Sequence, residues 1–226
     1  YANGRGVEQD YTKAAEWYRR AAEQGEATAQ FNLGILYEEG RGVEQNDIEA
    51  TEWYRKAANQ GIPVAQFNLG LRYEEGRGIE QNSVRAAEWY QKAAEQGFVD
   101  AQFNLGTMYY DGQGVKQDYA KAAMWYRNAA EQGDAEAQFN LGVMYYDGQG
   151  VKQDYAKAAM WYRRAAEQKV ATAQFNLGVM YSNNQGVEQN YEKAAEWFRR
   201  AAKQGDAAAQ FNLGQMYEKG EGVGQV

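Results

Sequence analysis

The hexapeptide Ala-Gln-Phe-Asn-Leu-Gly occurs six times, beginning at Ala29, Ala65, Ala101, Ala137, Ala173 and Ala209, so that each copy starts 36 residues after the last. A fixed period of this size marks a solenoid, because so short a unit cannot bury its own apolar face and must stack on its neighbours. The period continues without a break in composition, and residues 1–226 are read as a single solenoid domain of about six repeats. Tyr1 aligns with Tyr37, and Val226 falls just before the next expected helix, so both ends are expected to cut a repeat in the middle.

One unit resolves into two helices. From Tyr11 to Gln24, a period of 3.6 residues puts Ala14, Trp17, Tyr18, Ala21 and Ala22 on one face and Glu16, Arg19, Arg20 and Glu23 on the other, with Glu16 and Arg20 spaced as an i,i+4 ion pair. We call this the B helix. Asp10 is its expected N-cap, and Asn46, Asn82, Asp118, Asp154 and Asn190 hold the same place in the other units. Gly25 is expected to end it in a left-handed conformation. The A helix follows from about Ala27 to Glu38, with Ala29, Leu33 and Tyr37 on its packed face and Gly34 where a neighbouring backbone comes close. A Gly-x-Gly-Val spacer then turns the chain toward the next cap.

The same comparison singles out the exceptions. The six tryptophans, at 17, 53, 89, 125, 161 and 197, share one register and are expected as core pillars between small residues. Lys169 stands where the other units have the capping glycine, Asn184 replaces a loop glycine, and the only proline, Pro63, opens an A helix, where it is tolerated.

Several function classes are excluded by what the chain lacks. It contains no cysteine and no histidine, which removes disulfides, thiolate chemistry, the usual zinc sites and the commonest general base. Its formal net charge of −7 opposes nucleic acid and anionic lipid as partners. No apolar run approaches the roughly 18 residues of a membrane helix, so no membrane association is expected. The carboxylates recur with the repeat instead of converging as a pair, the Gly-x-Gly turns follow helices and not strands, and no calcium-hand loop is present, so no catalysis and no cofactor or metal are expected.

The pattern Ala-x-x-x-Leu-Gly-x-x-Tyr-x-x-Gly-x-Gly-Val, followed by Asp or Asn, Lys-Ala, Trp-Tyr, Ala-Ala and Gln-Gly, resembles the consensus of the Sel-one-like repeat family, a relative of the tetratricopeptide repeat. The resemblance covers the whole chain. It implies an all-α, right-handed superhelical solenoid of antiparallel helix pairs acting as an adaptor or scaffold in protein complexes, often in bacterial secretion or signalling. The β-lactam binding linked to cysteine-rich members is not carried over, since neither cysteine nor a Ser-x-x-Lys motif is present.

By the same resemblance, the A helices line a concave groove. The helical wheel agrees in setting Phe31 and Ile35 opposite the packed face. Phe31, Phe67, Phe103, Phe139, Phe175 and Phe211 are therefore expected to form a ladder, flanked by carboxylates such as Glu38 and Glu74. Tyr110 and Tyr146, in the Glu38 register, would make the central repeats the most aromatic stretch and the preferred anchor. Such a groove favours a basic or amphipathic protein segment. Met124 and Met160, in place of glutamate, mark a small convex patch. The alternative is a structural or engineered array whose role is stacking, and the truncated ends suggest end-to-end self-association.

Overall fold

A computed structural model describes residues 9–223. Among them are twelve helices and no strand. The B helices are α1 (Tyr11–Glu23), α3 (Asp47–Asn59), α5 (Ser83–Glu95), α7 (Tyr119–Glu131), α9 (Tyr155–Glu167) and α11 (Tyr191–Lys203). The A helices are α2 (Ala27–Glu39), α4 (Pro63–Glu75), α6 (Val99–Asp111), α8 (Ala135–Asp147), α10 (Ala171–Ser182) and α12 (Ala207–Lys219). The fold is all-α and built of repeated helix pairs. It groups into two compact units, Tyr1–Gln117 and Asp118–Val226, divided between α6 and α7, whereas the expectation of one domain rested on the unbroken period. Tyr1 and Val226, on which the expected cut ends were argued, lie outside the described residues.

Local signals in the sequence set the helix limits. All six predicted N-caps are extended and accept a first-turn amide, as in Asp10 from Lys13 at 3.0 Å and Asn46 from Ile48 and Glu49. Glu26, Asp134 and Asp206 do the same for α2, α8 and α12, and Pro63 occupies the first turn of α4. Lys169 takes φ 71° and Asn184 φ 56°, both in the left-handed region. At the glycines equivalent to Lys169 an added Cβ meets nothing within 4 Å, so the cost of lysine there is backbone strain alone. Lys169→Gly is accordingly expected to raise stability by about 1 kcal/mol, read as a higher urea midpoint at unchanged slope.

Packing between successive pairs explains the hexapeptide. The leucines of its first five copies are at most 1% exposed, and the alanines that open the copies line the same core. At Gly34 the close neighbour is chiefly a side chain and not the backbone expected from the sequence: a Cβ there would lie 2.7 Å from the Tyr54 ring, with the Ala50 carbonyl at 3.3 Å. The rings of Tyr90, Tyr162 and Phe198 occupy the same place at Gly70, Gly142 and Gly178. The motif glycine thus makes room for an aromatic residue of the next B helix, and Phe198 shows that a ring suffices without a hydroxyl.

The tryptophans follow the pillar expectation only in part. Trp53 is buried against Ala22, Ala29 and Leu33, and Trp161 and Trp197 are buried as well. Trp89 and Trp125 are half-buried, and Trp17 is 54% exposed, because no earlier helix pair covers it among the described residues. Where a cation sits three residues on, it lies over the ring: Lys56 over Trp53 at 3.7 Å, Lys92 over Trp89 at 3.8 Å, and Arg164 over Trp161 at 4.6 Å. Arg20 likewise lies 4.6 Å from the Trp17 ring and Arg200 4.4 Å from the Trp197 ring, and Arg200 also pairs with Glu196 in the i,i+4 manner expected of Glu16 and Arg20.

Candidate protein-binding face

On the A helices the phenylalanines are neither core nor free. Phe31, Phe67, Phe103, Phe139 and Phe175 are all half-buried, as are Ile35, Leu71, Thr107, Val143 and Val179 one turn further on. Within the first unit Phe31 stacks on Tyr54 and Phe67 on Tyr90, each at 5.6 Å between centroids; in the second, Phe139 stacks on Tyr162 at 5.8 Å and Phe175 on Phe198 at 5.7 Å. Each of these four rings therefore helps to support the stack, and Phe67 also meets Phe98 at 5.1 Å, so what remains of the phenylalanine surface is only partly accessible. Phe211 has no following pair among the described residues and is 65% exposed.

The aromatic flank departs from a uniform ladder. Tyr110 is half-buried. Tyr146, also half-buried, donates to Gln185 at 3.2 Å and meets Tyr155 edge-on at 5.1 Å, so part of its surface is committed within its own unit. Met124 and Met160 are exposed, at 43% and 41%.

The acidic flank is more constrained than the sequence implied. Glu38 accepts a hydrogen bond from the Tyr54 hydroxyl, and Glu74 accepts one from Tyr90. Burial first, and then the adjacent carboxylate, push both phenols well above the ordinary tyrosine range, so they remain donors at any working pH. Arg72, on α4 and only 3% exposed, lies 2.6 Å from Glu38 and donates to Asp47 at 2.6 Å, and Arg77 adds a contact of 3.0 Å to Asp47. Its Nη2 approaches Glu38 off the hydrogen-bonding direction, so that contact is an ion pair by distance without an aligned bond. Glu38 is thus an anchored acid.

Arg72 was not singled out from the sequence. Its register reads Leu36, Met108, Met144, Met180 and Met216 in the other units, and the lone cation in an apolar column was the available signal. Burial alone would raise the Asp47 carboxyl, but the Arg72 hydrogen bond and the Arg77 and Arg72 charges hold it below its ordinary 3.8. A carboxyl depressed on folding contributes stability that is present above the unfolded value and lost as pH falls through the folded one. Between about pH 5 and pH 2 the urea midpoint of the intact chain is therefore expected to fall more steeply than that of Asp47→Asn. Parallel curves would show that Asp47 carries no such linkage.

A second set of contacts concerns the glutamine of the hexapeptide. Gln30, Gln66, Gln102, Gln138 and Gln174 are about 5% exposed or less, and each donates to a B-helix carbonyl eight residues back, as Gln30 does to Ala22 at 3.1 Å. Gln60 of the next pair donates to the Gln30 side chain at 2.8 Å, and Gln168 donates to Gln138 at 2.9 Å. These amides tie successive pairs together inside each unit and satisfy polar groups that burial would otherwise penalise. Among the described residues no group of three potential carboxylate, thiol or imidazole ligands converges, and no helix is long and apolar enough to cross a membrane.

The Sel1 repeat model matches residues 1–26, 27–62, 63–98, 99–134, 135–170, 171–206 and 207–226, seven segments that together span the sequence. The chain belongs to the Sel1 repeat family. Among solved structures, it is similar to a protective antigen of uropathogenic Escherichia coli that displays the Sel1-like repeat fold, with 44% identity and a TM-score of 0.94. That match covers 97% of this chain and 47% of the antigen, so the chain spans about half the length of this relative. It is also similar to a Sel1 repeat protein of Oxalobacter formigenes, with 39% identity, a TM-score of 0.80 and coverage of 91% of this chain and 87% of that one. No curated protein matches. Sel1 repeats generally mediate protein–protein interaction and generally form non-catalytic scaffolds.

Proposed function

We propose that this Sel1 repeat chain is a non-catalytic scaffold that holds a basic or amphipathic segment of another protein along its A helices. The accessible sides of Phe31, Phe67, Phe103, Phe139, Phe175 and Phe211 supply apolar contact, Tyr110 and Tyr146 supply anchors, and Glu38 and Glu74 lie beside them. The observation that carries this reading is the half-burial of the phenylalanine in the first five copies of a motif whose leucine and alanine are sealed in the core. A residue needed only for packing has no reason to stay partly exposed five times. The ion-paired state of Glu38 moves the attraction for a basic segment toward carboxylates such as Asp100, Glu136 and Asp147, which are exposed.

The test uses two labelled amphipathic helical peptides, one of leucine and lysine and one of leucine and glutamate, titrated by fluorescence anisotropy. The lysine peptide is expected to bind more tightly, and Phe139→Ala with Tyr146→Ala is expected to weaken it at least about tenfold, with helix content by circular dichroism retained. Equal binding of both peptides, or no effect of the variant, would count against the groove.

A further inference from the structure

The second unit contains two clefts built to one plan, away from the phenylalanines and the tryptophans. In the first, of about 430 Å³, Arg127 of α7, Tyr145 of α8, Lys152 and Asp154 of the spacer and Lys157 of α9 converge. Arg127 donates from Nη2 to the Tyr145 hydroxyl at 2.9 Å, and Lys157 lies 5.3 Å from the centre of the Tyr145 ring. The second cleft, of about 300 Å³, repeats this with Arg163 donating to Tyr181 at 2.6 Å and Lys193 at 5.5 Å from that ring. Both tyrosines are buried, at 8% and 6% exposure, so their hydroxyls are fixed at the cleft walls.

The chemistry of this arrangement is one-sided. Because the tyrosine oxygen accepts from arginine, its O–H is left to donate to another group, and the guanidinium keeps further N–H groups beside it. Tyrosine O–H, arginine N–H and lysine ammonium are all donors, and two of the three are cationic. That set matches an oxyanion. It is also set against the character of the chain, in which acids outnumber bases by 31 to 24. The two clefts differ in charge: the first has three cations against Asp154, whose side chain also caps α9 and lies 3.6 Å from Lys157. In the second, Glu188 replaces Lys152 and Asn190 replaces Asp154, which leaves two cations and one carboxylate.

We propose that the Arg127–Tyr145–Lys157 cleft binds a carboxylate carried by an acidic segment of a partner protein, with the Arg163–Tyr181–Lys193 cleft as a weaker second station for the same segment. The two stations lie on successive helix pairs, whose helices pack about 8–10 Å apart, a distance that an extended peptide covers with a few residues between acidic side chains. This site is independent of the A-helix groove and calls for the opposite ligand charge, so either can fail without the other.

The test titrates the intact chain with a labelled peptide of alternating glutamate and serine at low salt, beside a peptide of alternating lysine and serine. Saturable binding of the glutamate peptide, weakened at least about tenfold by Arg127→Gln with Lys157→Gln, is expected. Arg127 also supports Tyr145, so a second pair of variants avoids the packed groups: Lys152 and Glu188 are both exposed spacer residues. Lys152→Glu should weaken binding severalfold, and Glu188→Lys should strengthen it by a similar factor. No saturable binding to the intact chain, equal binding of the two peptides, or indifference to both spacer variants would overturn the proposal. Displacement of the glutamate peptide by inorganic phosphate at the peptide's own concentration would also overturn it, because the site would then take a free anion and not a protein segment.

Discussion

Gly150→Ala is expected to destabilise the second unit by about 2–5 kcal/mol, although it adds one methyl group to a surface turn. Gly150 has φ 66°, and a Cβ there would lie 2.2 Å from the carbonyl carbon and oxygen of Tyr119, the first residue of α7, and 2.6 Å from Ala120 N. Left-handed backbone costs an alanine about 1–2 kcal/mol, and forced overpacking typically adds about 1–3 kcal/mol. The second contribution applies in full here because the obstacle is helix backbone, which cannot turn aside as a side chain can. Gly148→Ala is the control: its φ is 74°, but the nearest atom would be Gln153 Cβ at 3.1 Å, a contact that needs only a slight shift. Its expected cost is about 1–2 kcal/mol, mostly backbone strain. Urea unfolding followed by far-ultraviolet circular dichroism separates the two; equal losses would show that the approach of the turn to α7 is relaxed in solution.

That turn also shows what the sequence makes legible. Helix limits were readable because caps, left-handed glycines and apolar spacing are local properties, and Asp10, Asn46 and Gly25 act as their residue types require. Contacts between one repeat and the next were less readable. The spacing placed Gly34 at a close approach but could not say that the Tyr54 ring fills it. The wheel put Phe31 opposite the packed face, yet its half-burial is set by that same ring, 20 and more residues further along the chain. The buried Gln30 amide and the bond it accepts from Gln60 were invisible to a reading that scored apolar periodicity alone. Arg72 was visible as an exception in its column, but its partners Glu38 and Asp47 come from two other helices, and only packing brings the three together.

Trp53→Ala is expected to cost about 3–5 kcal/mol, the range for emptying the site of a buried tryptophan. Trp53 is 8% exposed and packs on Ala22, Ala29 and Leu33 of the preceding pair, where the two alanine side chains are too short to fill the space left behind. The Lys56 ammonium 3.7 Å from the ring centre would lose its partner too, adding about 0.5–1 kcal/mol. Trp17→Ala provides the contrast, since the same residue type in the same register is 54% exposed and should cost well under half as much. In a repeat array the energy is a sum of unit and nearest-neighbour contributions, so the Trp53 loss falls first on the joint between the α1–α2 and α3–α4 pairs. Hydrogen exchange is therefore the more discriminating measurement: amides of α1 and α2 should lose protection in Trp53→Ala while those of α9 and α10 keep theirs. Uniform loss along the chain would mean that the array unfolds as one cooperative body and that the nearest-neighbour account of this solenoid is wrong.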